Sequence, residues 1–199
     1  MFQSSKTVKQ LFYANFIVFI IGTLLQSVGF PLYETFALYP PSSDQFVIYQ
    51  FITYMFLHSG ILHIVFNMLA LASFGYIVED YMGRNKFILF YLLTGIGAAL
   101  LHLLIVDDSS PMVGASGAIY GILVVSALIS PNEKVSIFPI PIGIKLKYLI
   151  SVLFGIEILL GIFSTGDGVG HFAHVGGGLT GILFYLINRK VLPKKKRWS

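Results

Sequence analysis

The sequence predicts an all-α polytopic membrane protein with six transmembrane helices and a long, partly helical first outer loop. Of its 199 residues, 56% are hydrophobic and only 11% are charged, an apolar share well above that of a soluble domain. Six apolar segments of near-membrane length are separated by polar or turn-forming residues. Basic residues fall in alternate connections between these segments, which is typical of a chain that crosses a membrane repeatedly. We expect residues 1–199 to form a single membrane domain.

The six segments follow one another with connections of very unequal length. They cover approximately Leu11–Val28, Leu62–Val78, Phe87–Val106, Ala115–Ile129, Tyr148–Phe163 and Phe172–Leu192. We expect the first to be a retained helix, because no small-residue cleavage site follows its apolar run. The longest connection runs from Gly29 to about Gly60 and is rich in proline and aromatic residues. Such a composition suits the lipid headgroup layer, where we expect short helices.

The basic residues all fall on one side of this six-span arrangement. They are Lys6, Lys9, Arg84, Lys86, Lys134, Lys145, Lys147 and the basic residues from Arg189 to Arg197. The opposite connections carry Glu34, Asp44, Asp107, Asp108 and Asp167. This asymmetry predicts a multi-pass protein with both termini cytoplasmic. We expect the basic tail, residues 193–199, to contact anionic lipid rather than nucleic acid.

The fourth segment is too short to cross the membrane alone. A helix from Ser116 to Ile129 spans about 20 Å, against a hydrocarbon core of roughly 30 Å. If its inner end lies at the cytoplasmic surface, Ser116 lies below the outer surface and Asp107–Gly114 dips into the membrane as a loop. Irregular backbone at that depth requires a protein interior or a water-filled cavity, so we expect a cavity at Ser116. Alternatively, Ser116 simply caps a small-residue helix.

Three polar groups lie at the same depth as Ser116. His63 and Asn67, spaced i, i+4, share one face of the second segment, and His174 lies near the start of the sixth. The pairs Gly177/Gly181 and Gly117/Gly121 are each four apart, a spacing that lets two helices pack backbone to backbone. If they face each other, His174 comes within reach of Ser116. The plainer interpretation of His63 and Asn67 is interhelical hydrogen bonding.

This grouping predicts a serine nucleophile and a histidine base. Ser116 would attack, and His174 would accept its proton and pass it to the leaving amine. The Ser116 N–H, Asn67 and His63 would stabilise the oxyanion. His171 is a second candidate base, expected at the surface. The nearest acid to His174 in sequence is Asp167, so the expectation is a Ser–His dyad.

For the other acidic residues considered, structural roles are favoured over functional ones. Glu157 is the one acid within an apolar segment, and we favour a structural hydrogen bond over a gating role. Asp107 and Asp108 have no third ligand nearby, so a solvated loop is favoured over a metal site. The chain has 0 cysteines, which excludes disulfides and thiol catalysis. We expect no metal and no cofactor.

The chain resembles a rhomboid intramembrane serine protease of the bacterial six-helix type. The motifs that carry the resemblance are His63-x-x-x-Asn67, Gly114-x-Ser116-Gly117 with Tyr120, and Ala173-His174 with Gly177 and Gly181. The resemblance extends over about residues 46–192. It implies that Ser116 is the nucleophile, that His174 is the base, and that His63, Asn67 and Gly114 form the oxyanion site. Gly117, Gly177 and Gly181 would be supporting residues.

The resemblance also implies roles for residues outside the reacting groups. Tyr120 would pack beside the His174 ring, His58 would be structural, and Glu79 with Gly83 would form the turn after the second segment. Many members have Trp-Arg where this chain has Tyr49-Gln50, which puts the anchoring of the first loop in question. The implied substrates are transmembrane proteins, and the implied location is a bacterial inner membrane.

Two other functions remain open at this stage. An inactive relative that binds membrane clients has no need to keep serine and histidine in register, whereas both are present here. A small transporter would be expected to show an internal repeat and paired ionisable residues at mid-membrane. The sequence does not specify an oligomeric state.

Overall fold

The computed structural model describes residues 5–106, 110–137, 140–163 and 168–189, and these are mostly helical. The helices are α1 (Lys6–Ser27), α2 (Leu32–Phe36), α3 (Gln50–Thr53), α4 (Ile61–Met82), α5 (Arg84–Ile105), α6 (Ser116–Ile129), α7 (Leu146–Phe163) and α8 (His171–Asn188). A 3-10 turn, Tyr54–Phe56, follows α3, and two strands, β1 (Lys134–Ile137) and β2 (Ile140–Lys145), lie between α6 and α7.

Six of these helices correspond to the six predicted segments. Helices α1, α4, α5 and α7 are long and apolar enough to cross a membrane. Helix α6 has 14 residues, a length of about 21 Å. Helix α8 has 18 residues, and its histidines and glycines make it less apolar than the other long helices. The predicted all-α polytopic fold is confirmed, including a first outer loop that is partly helical.

A buried glutamine anchors the first outer loop. The Gln50 side chain is 0% exposed. Its Oε1 accepts N–H bonds from Tyr39 and Val47, and its Nε2 donates to the carbonyl oxygens of Thr35 and Gln45. A buried amide with all of these partners is fully satisfied. Gln50 therefore holds the loop together, although the Tyr49-Gln50 pair put the anchoring of this loop in question in the sequence.

The sequence analysis missed a short hairpin on the side of the basic connections. Strands β1 and β2 are antiparallel, with Lys134 opposite Lys145 and Val135 opposite Ile144. Apolar and polar residues alternate along Lys134–Ile137, as they do in a half-buried strand. Pro139 and Pro141 obscured the signal, because proline within an apolar run argues against a strand.

A carboxylate from α4 fixes the beginning of α1. Glu79 is buried, and its two oxygens each accept a backbone N–H bond of 2.9 Å, one from Thr7 and one from Val8. These N–H groups lie in the first turn of α1, where no intrahelical acceptor is available. Glu79 thus caps a helix that is distant in sequence, in addition to preceding the turn at Gly83.

Helices α5, α6 and α8 form the closely packed centre of the bundle. A Cβ placed on Gly177 would lie 1.8 Å from the carbonyl oxygen of Gly117, and one on Gly181 would lie 3.0 Å from Gly121 Cα. Side chains larger than hydrogen are therefore excluded at the α6–α8 contact. This contact brings the start of α8 beside the start of α6.

Candidate active site

Ser116 is the first residue of α6, and the strand-like segment before it is bonded to the first outer loop. Met112 and Leu38 exchange N–H···O bonds of 2.8 and 3.0 Å, and the Gly114 N–H donates to the Tyr54 carbonyl at 2.9 Å. These bonds hold the backbone that leads into Ser116. The serine is partly exposed, and its N–H belongs to the first turn of a helix, where such groups are available to bind negative charge.

The imidazole of His174 contacts the hydroxyl of Ser116. The distance from His174 Nε2 to Ser116 Oγ is 2.8 Å, within the range for a nucleophile and its base. The two residues lie on α8 and α6, whose glycine-lined contact allows this approach. Tyr120, one turn after Ser116, stacks on the His174 ring with centroids 4.3 Å apart and planes inclined by 15°.

An acid also reaches His174, which corrects the expectation that none is placed to orient it. Glu157 Oε2 lies 2.8 Å from His174 Nδ1, and both side chains are buried. The Tyr120 hydroxyl donates to the other carboxylate oxygen of Glu157. Asp167, the acid nearest in sequence, is outside the described residues. The sequence signal for this contact was a single acid within an apolar segment. Spacing along the sequence does not show which face of α7 packs against α8.

His171 is buried rather than at the surface. It is 7% exposed, and its Nδ1 lies 2.7 Å from Glu157 Oε2. The same carboxylate oxygen therefore contacts two imidazoles from successive turns of α8. His171 lies one turn before His174 and is held by the acid, and the Ser116 hydroxyl contacts His174.

Glu157, His171 and His174 are also the group whose donor atoms could hold a metal. One ligand atom from each lies within 4.8 Å of the others, and two histidines with one glutamate are a known zinc ligand set. The same atoms already satisfy one another by hydrogen bonding. A metal at this position would require both Nδ1 atoms to be unprotonated, whereas the hydrogen bonds to Glu157 use an Nδ1–H donor.

His63 lies beside Gly114. A Cβ on Gly114 would lie 2.8 Å from His63 Nε2 and 3.6 Å from Ser116 Oγ, and Gly114 has a φ of +125°. The Ser59 N–H and the Ser59 hydroxyl both lie near His63 Nδ1, at 3.5 and 3.0 Å. Donation by Ser59 to Nδ1 places the ring proton on Nε2. That proton then points to the region where the oxyanion is expected.

Asn67 is buried on the same face of α4, but its recorded bond is local. Its Nδ2 donates to the His63 carbonyl at 2.9 Å. An amide nitrogen carries two hydrogens, so this bond uses one donor. The structure does not record a direct contact between Asn67 and Ser116.

His58 supports His63 from the end of the first outer loop. The two rings meet edge to face, with centroids 5.0 Å apart. Burial first, and the neighbouring His63 second, lower the pKa of His58 to about 4. A neutral ring at this position keeps a positive charge away from His63, consistent with the structural role that the resemblance implies.

Two further sequence predictions concern the surroundings of Ser116. The acids Asp107 and Asp108 lie outside the described residues. The expected water-filled cavity at Ser116 stays a prediction. A small cavity among the described residues lies elsewhere, lined by α1, α2, Leu57 and His58.

Comparison with known proteins identifies one family. The Rhomboid domain profile matches residues 45–190. The chain is 28% identical to Rhomboid-like protease 3 of Toxoplasma gondii over 97% of this chain and 73% of that protein. It is 40% identical to RHOMBOID-like protein 6, mitochondrial, of Arabidopsis thaliana over 67% of this chain and 41% of that protein. The identity to Rhomboid protease GluP of Bacillus subtilis is 34% over 65% of this chain and 24% of that protein.

Proposed function

Because this chain belongs to the rhomboid family, we propose that it is an intramembrane serine endopeptidase that cuts transmembrane segments of other membrane proteins. The observation that carries the proposal is the 2.8 Å separation of Ser116 Oγ and His174 Nε2 at the adjoining starts of two helices. The relatives named as proteases in Toxoplasma gondii and Bacillus subtilis support the same class of activity.

The reaction proceeds in two steps. His174 Nε2 accepts the hydroxyl proton as Ser116 Oγ attacks the scissile carbonyl carbon, and the carbonyl oxygen becomes an oxyanion. The proton then passes from His174 to the leaving amine, which departs as the new N-terminus. In the second step His174 takes a proton from water, water attacks the acyl-enzyme, and the proton returns to Ser116 Oγ.

The oxyanion is stabilised by donors at the start of α6 and on α4. The Ser116 N–H lies at the positive end of a helix, and the Nε2–H of His63 points past Gly114 toward the same region. Asn67 contributes the second hydrogen of its amide. Donors fixed before the reaction stabilise the developing charge without reorganisation.

Substrates are membrane proteins that can unwind near their outer ends. A helical carbonyl is already hydrogen-bonded, so a segment must open before Ser116 can attack it. Helix-destabilising residues near the cut are therefore favoured. Ser116 faces the side opposite the basic connections, so both termini of the enzyme are cytoplasmic and the cut lies toward the outer leaflet of a cell membrane.

The test is cleavage of a model transmembrane substrate by the purified protein in liposomes. Wild type is expected to cleave, and Ser116→Ala and His174→Ala are expected to be inactive. Ser130→Ala is the matched control, because Ser130 lies just beyond the opposite end of α6. A fluorophosphonate probe should label wild type but not Ser116→Ala. Cleavage by either site variant would refute the mechanism.

Absence of both cleavage and labelling in folded wild type would point to a different function, a rhomboid-like protein that binds clients without cutting them. Co-purification of an uncleaved transmembrane client with wild type and with Ser116→Ala alike would support that outcome. Binding alone, with labelling intact, would leave the protease proposal in place.

A further inference from the structure

We propose that Glu157 positions the catalytic histidine, so that Ser116, His174 and Glu157 form one hydrogen-bonded triad. The inference rests on the proposed function. It assigns to α7 a part in the chemistry, whereas the motifs in the sequence placed all reacting and positioning groups on α4, α6 and α8. Glu157 is a positioning residue, since it acts on the substrate only through His174.

The three side chains form a continuous chain of short contacts. Ser116 Oγ is 2.8 Å from His174 Nε2, and His174 Nδ1 is 2.8 Å from Glu157 Oε2. A neutral imidazole has one N–H and one lone pair. If Nδ1–H donates to the carboxylate, the lone pair lies on Nε2 and faces the serine hydroxyl. Glu157 therefore selects the tautomer that a general base requires.

The carboxylate also compensates the charge that forms during attack. His174 is buried and becomes an imidazolium when it accepts the serine proton. An opposite charge in direct contact stabilises that imidazolium strongly in a site removed from bulk water. The other titratable groups that face His174 are Tyr120 on α6, His171 on α8 and His63 on α4.

Two further contacts fix the orientation of the carboxylate. The Tyr120 hydroxyl donates to Oε1, while His171 Nδ1 lies 2.7 Å from Oε2. Tyr120 thus touches both partners, with its ring on His174 and its hydroxyl on Glu157. Because the carboxylate is held at both oxygens, loss of either the Tyr120 or the His171 contact leaves the remaining contacts to hold it beside His174.

A purely structural role predicts a different pattern of effects. Glu157 is one of only three buried residues among those described in α7, together with Leu146 and Ile150. If it served only to hold α7 against α6 and α8, loss of any of its hydrogen bonds would weaken the bundle. Removal of the Tyr120 hydroxyl or of His171 would then impair activity as much as removal of the charge.

The experiment compares Glu157→Gln with Tyr120→Phe and His171→Gln in the liposome cleavage assay. For Glu157→Gln we expect kcat to fall by roughly 10²- to 10⁴-fold, with KM changed by less than about threefold. The acid limb of its pH–rate profile should move to lower pH, because the imidazolium loses its anion. The two control variants should lose less than about tenfold in kcat and keep the acid limb in place.

Glu157→Asp keeps the charge and provides a second test if the glutamine variant does not fold. Its acid limb is expected at the wild-type position, even where the shorter side chain lowers kcat. A shifted limb in this variant, or an unshifted limb with nearly full kcat in folded Glu157→Gln, would overturn the inference. Wild-type cleavage and Ser116 labelling are scored separately, so the proposed function stands or falls by its own result.

Discussion

At the scale of single residues, the site depends on a glycine as much as on its reactive groups. Gly114 has a φ of +125°, a conformation that side chains with a Cβ rarely adopt. The space that a Cβ would occupy is filled by His63, whose Nε2 would lie only 2.8 Å away. The glycine therefore lets the ring approach the loop immediately before Ser116.

Gly114→Ala is expected to impair both stability and catalysis. Backbone strain costs about 1–3 kcal/mol, and displacement of His63 should lower kcat by at least about tenfold through loss of an oxyanion donor. Thermal unfolding in detergent and the cleavage assay measure the two effects. Gly155→Ala is the control, since Gly155 is helical and faces open space, and it should stabilise slightly. Equal behaviour of the two variants would contradict this account.

The contact between Ser116 and His174 could be predicted from the sequence, but the contact of Glu157 with His174 could not. Ser116 and His174 lie among small residues at segment ends, and the two glycine pairs indicate which helices approach. Glu157 and His171 meet through the rotation of α7 about its axis and its register against α8. Neither follows from a nearly uniform apolar run such as Leu146–Phe163. Glu157 was therefore expected to make a structural hydrogen bond without a named partner, and His171 was wrongly expected at the surface. The partners of Glu79, which are the backbone N–H groups of Thr7 and Val8, are also distant from it in sequence.

At the scale of helices, the distance between Ser116, the proposed nucleophile, and His174, the proposed base, is set by the α6–α8 contact. The two backbones meet at Gly117 and Gly177, where a Cβ on Gly177 would overlap the Gly117 carbonyl oxygen. Since His174 lies one turn before Gly177, any separation of the helices at this point moves the imidazole away from Ser116.

Gly177→Ala should therefore reduce activity even in protein that remains folded. A forced shift of about 1 Å is enough to cost roughly 10²-fold in rate, and overpacking should lower stability by about 1–3 kcal/mol. The rate of fluorophosphonate labelling of Ser116 measures the loss of activation directly. Gly155→Ala is again the matched control. Labelling of Gly177→Ala at the wild-type rate would show that the contact does not set the distance.

Also at the scale of helices, Glu79 on α4 joins that helix to α1 by accepting the N–H bonds of Thr7 and Val8. In Glu79→Gln the amide can accept one of the two N–H bonds from Thr7 and Val8, while its NH2 group opposes the other. Loss of one buried bond is expected to cost about 1–3 kcal/mol. Thermal unfolding should show the loss, whereas cleavage well below the transition should persist because α1 carries no reacting group. Glu34→Gln, at an exposed position, should unfold like wild type.

At the scale of the whole molecule, the distribution of basic residues along the chain predicts on which side of the membrane the candidate site lies. The first outer loop and the segment before Ser116 are joined by the Leu38–Met112 pair, so both lie on one face. The basic residues Arg84 and Lys134 lie at the other ends of α4 and α6. Positively charged connections tend to remain cytoplasmic, so we expect Ser116 to lie toward the outer leaflet.

The absence of cysteine from the chain makes this orientation directly measurable with single substitutions. Asp44→Cys in the first outer loop and Asn85→Cys in the first turn of α5 occupy exposed positions, which the charge distribution predicts to lie on opposite sides of the membrane. In intact cells a membrane-impermeant maleimide is expected to label Asp44→Cys but not Asn85→Cys, and permeabilisation should make the second reactive. Cleavage by each variant controls for folding. The reverse labelling pattern would place Ser116 at the cytoplasmic face and would exclude cuts near the outer ends of substrates.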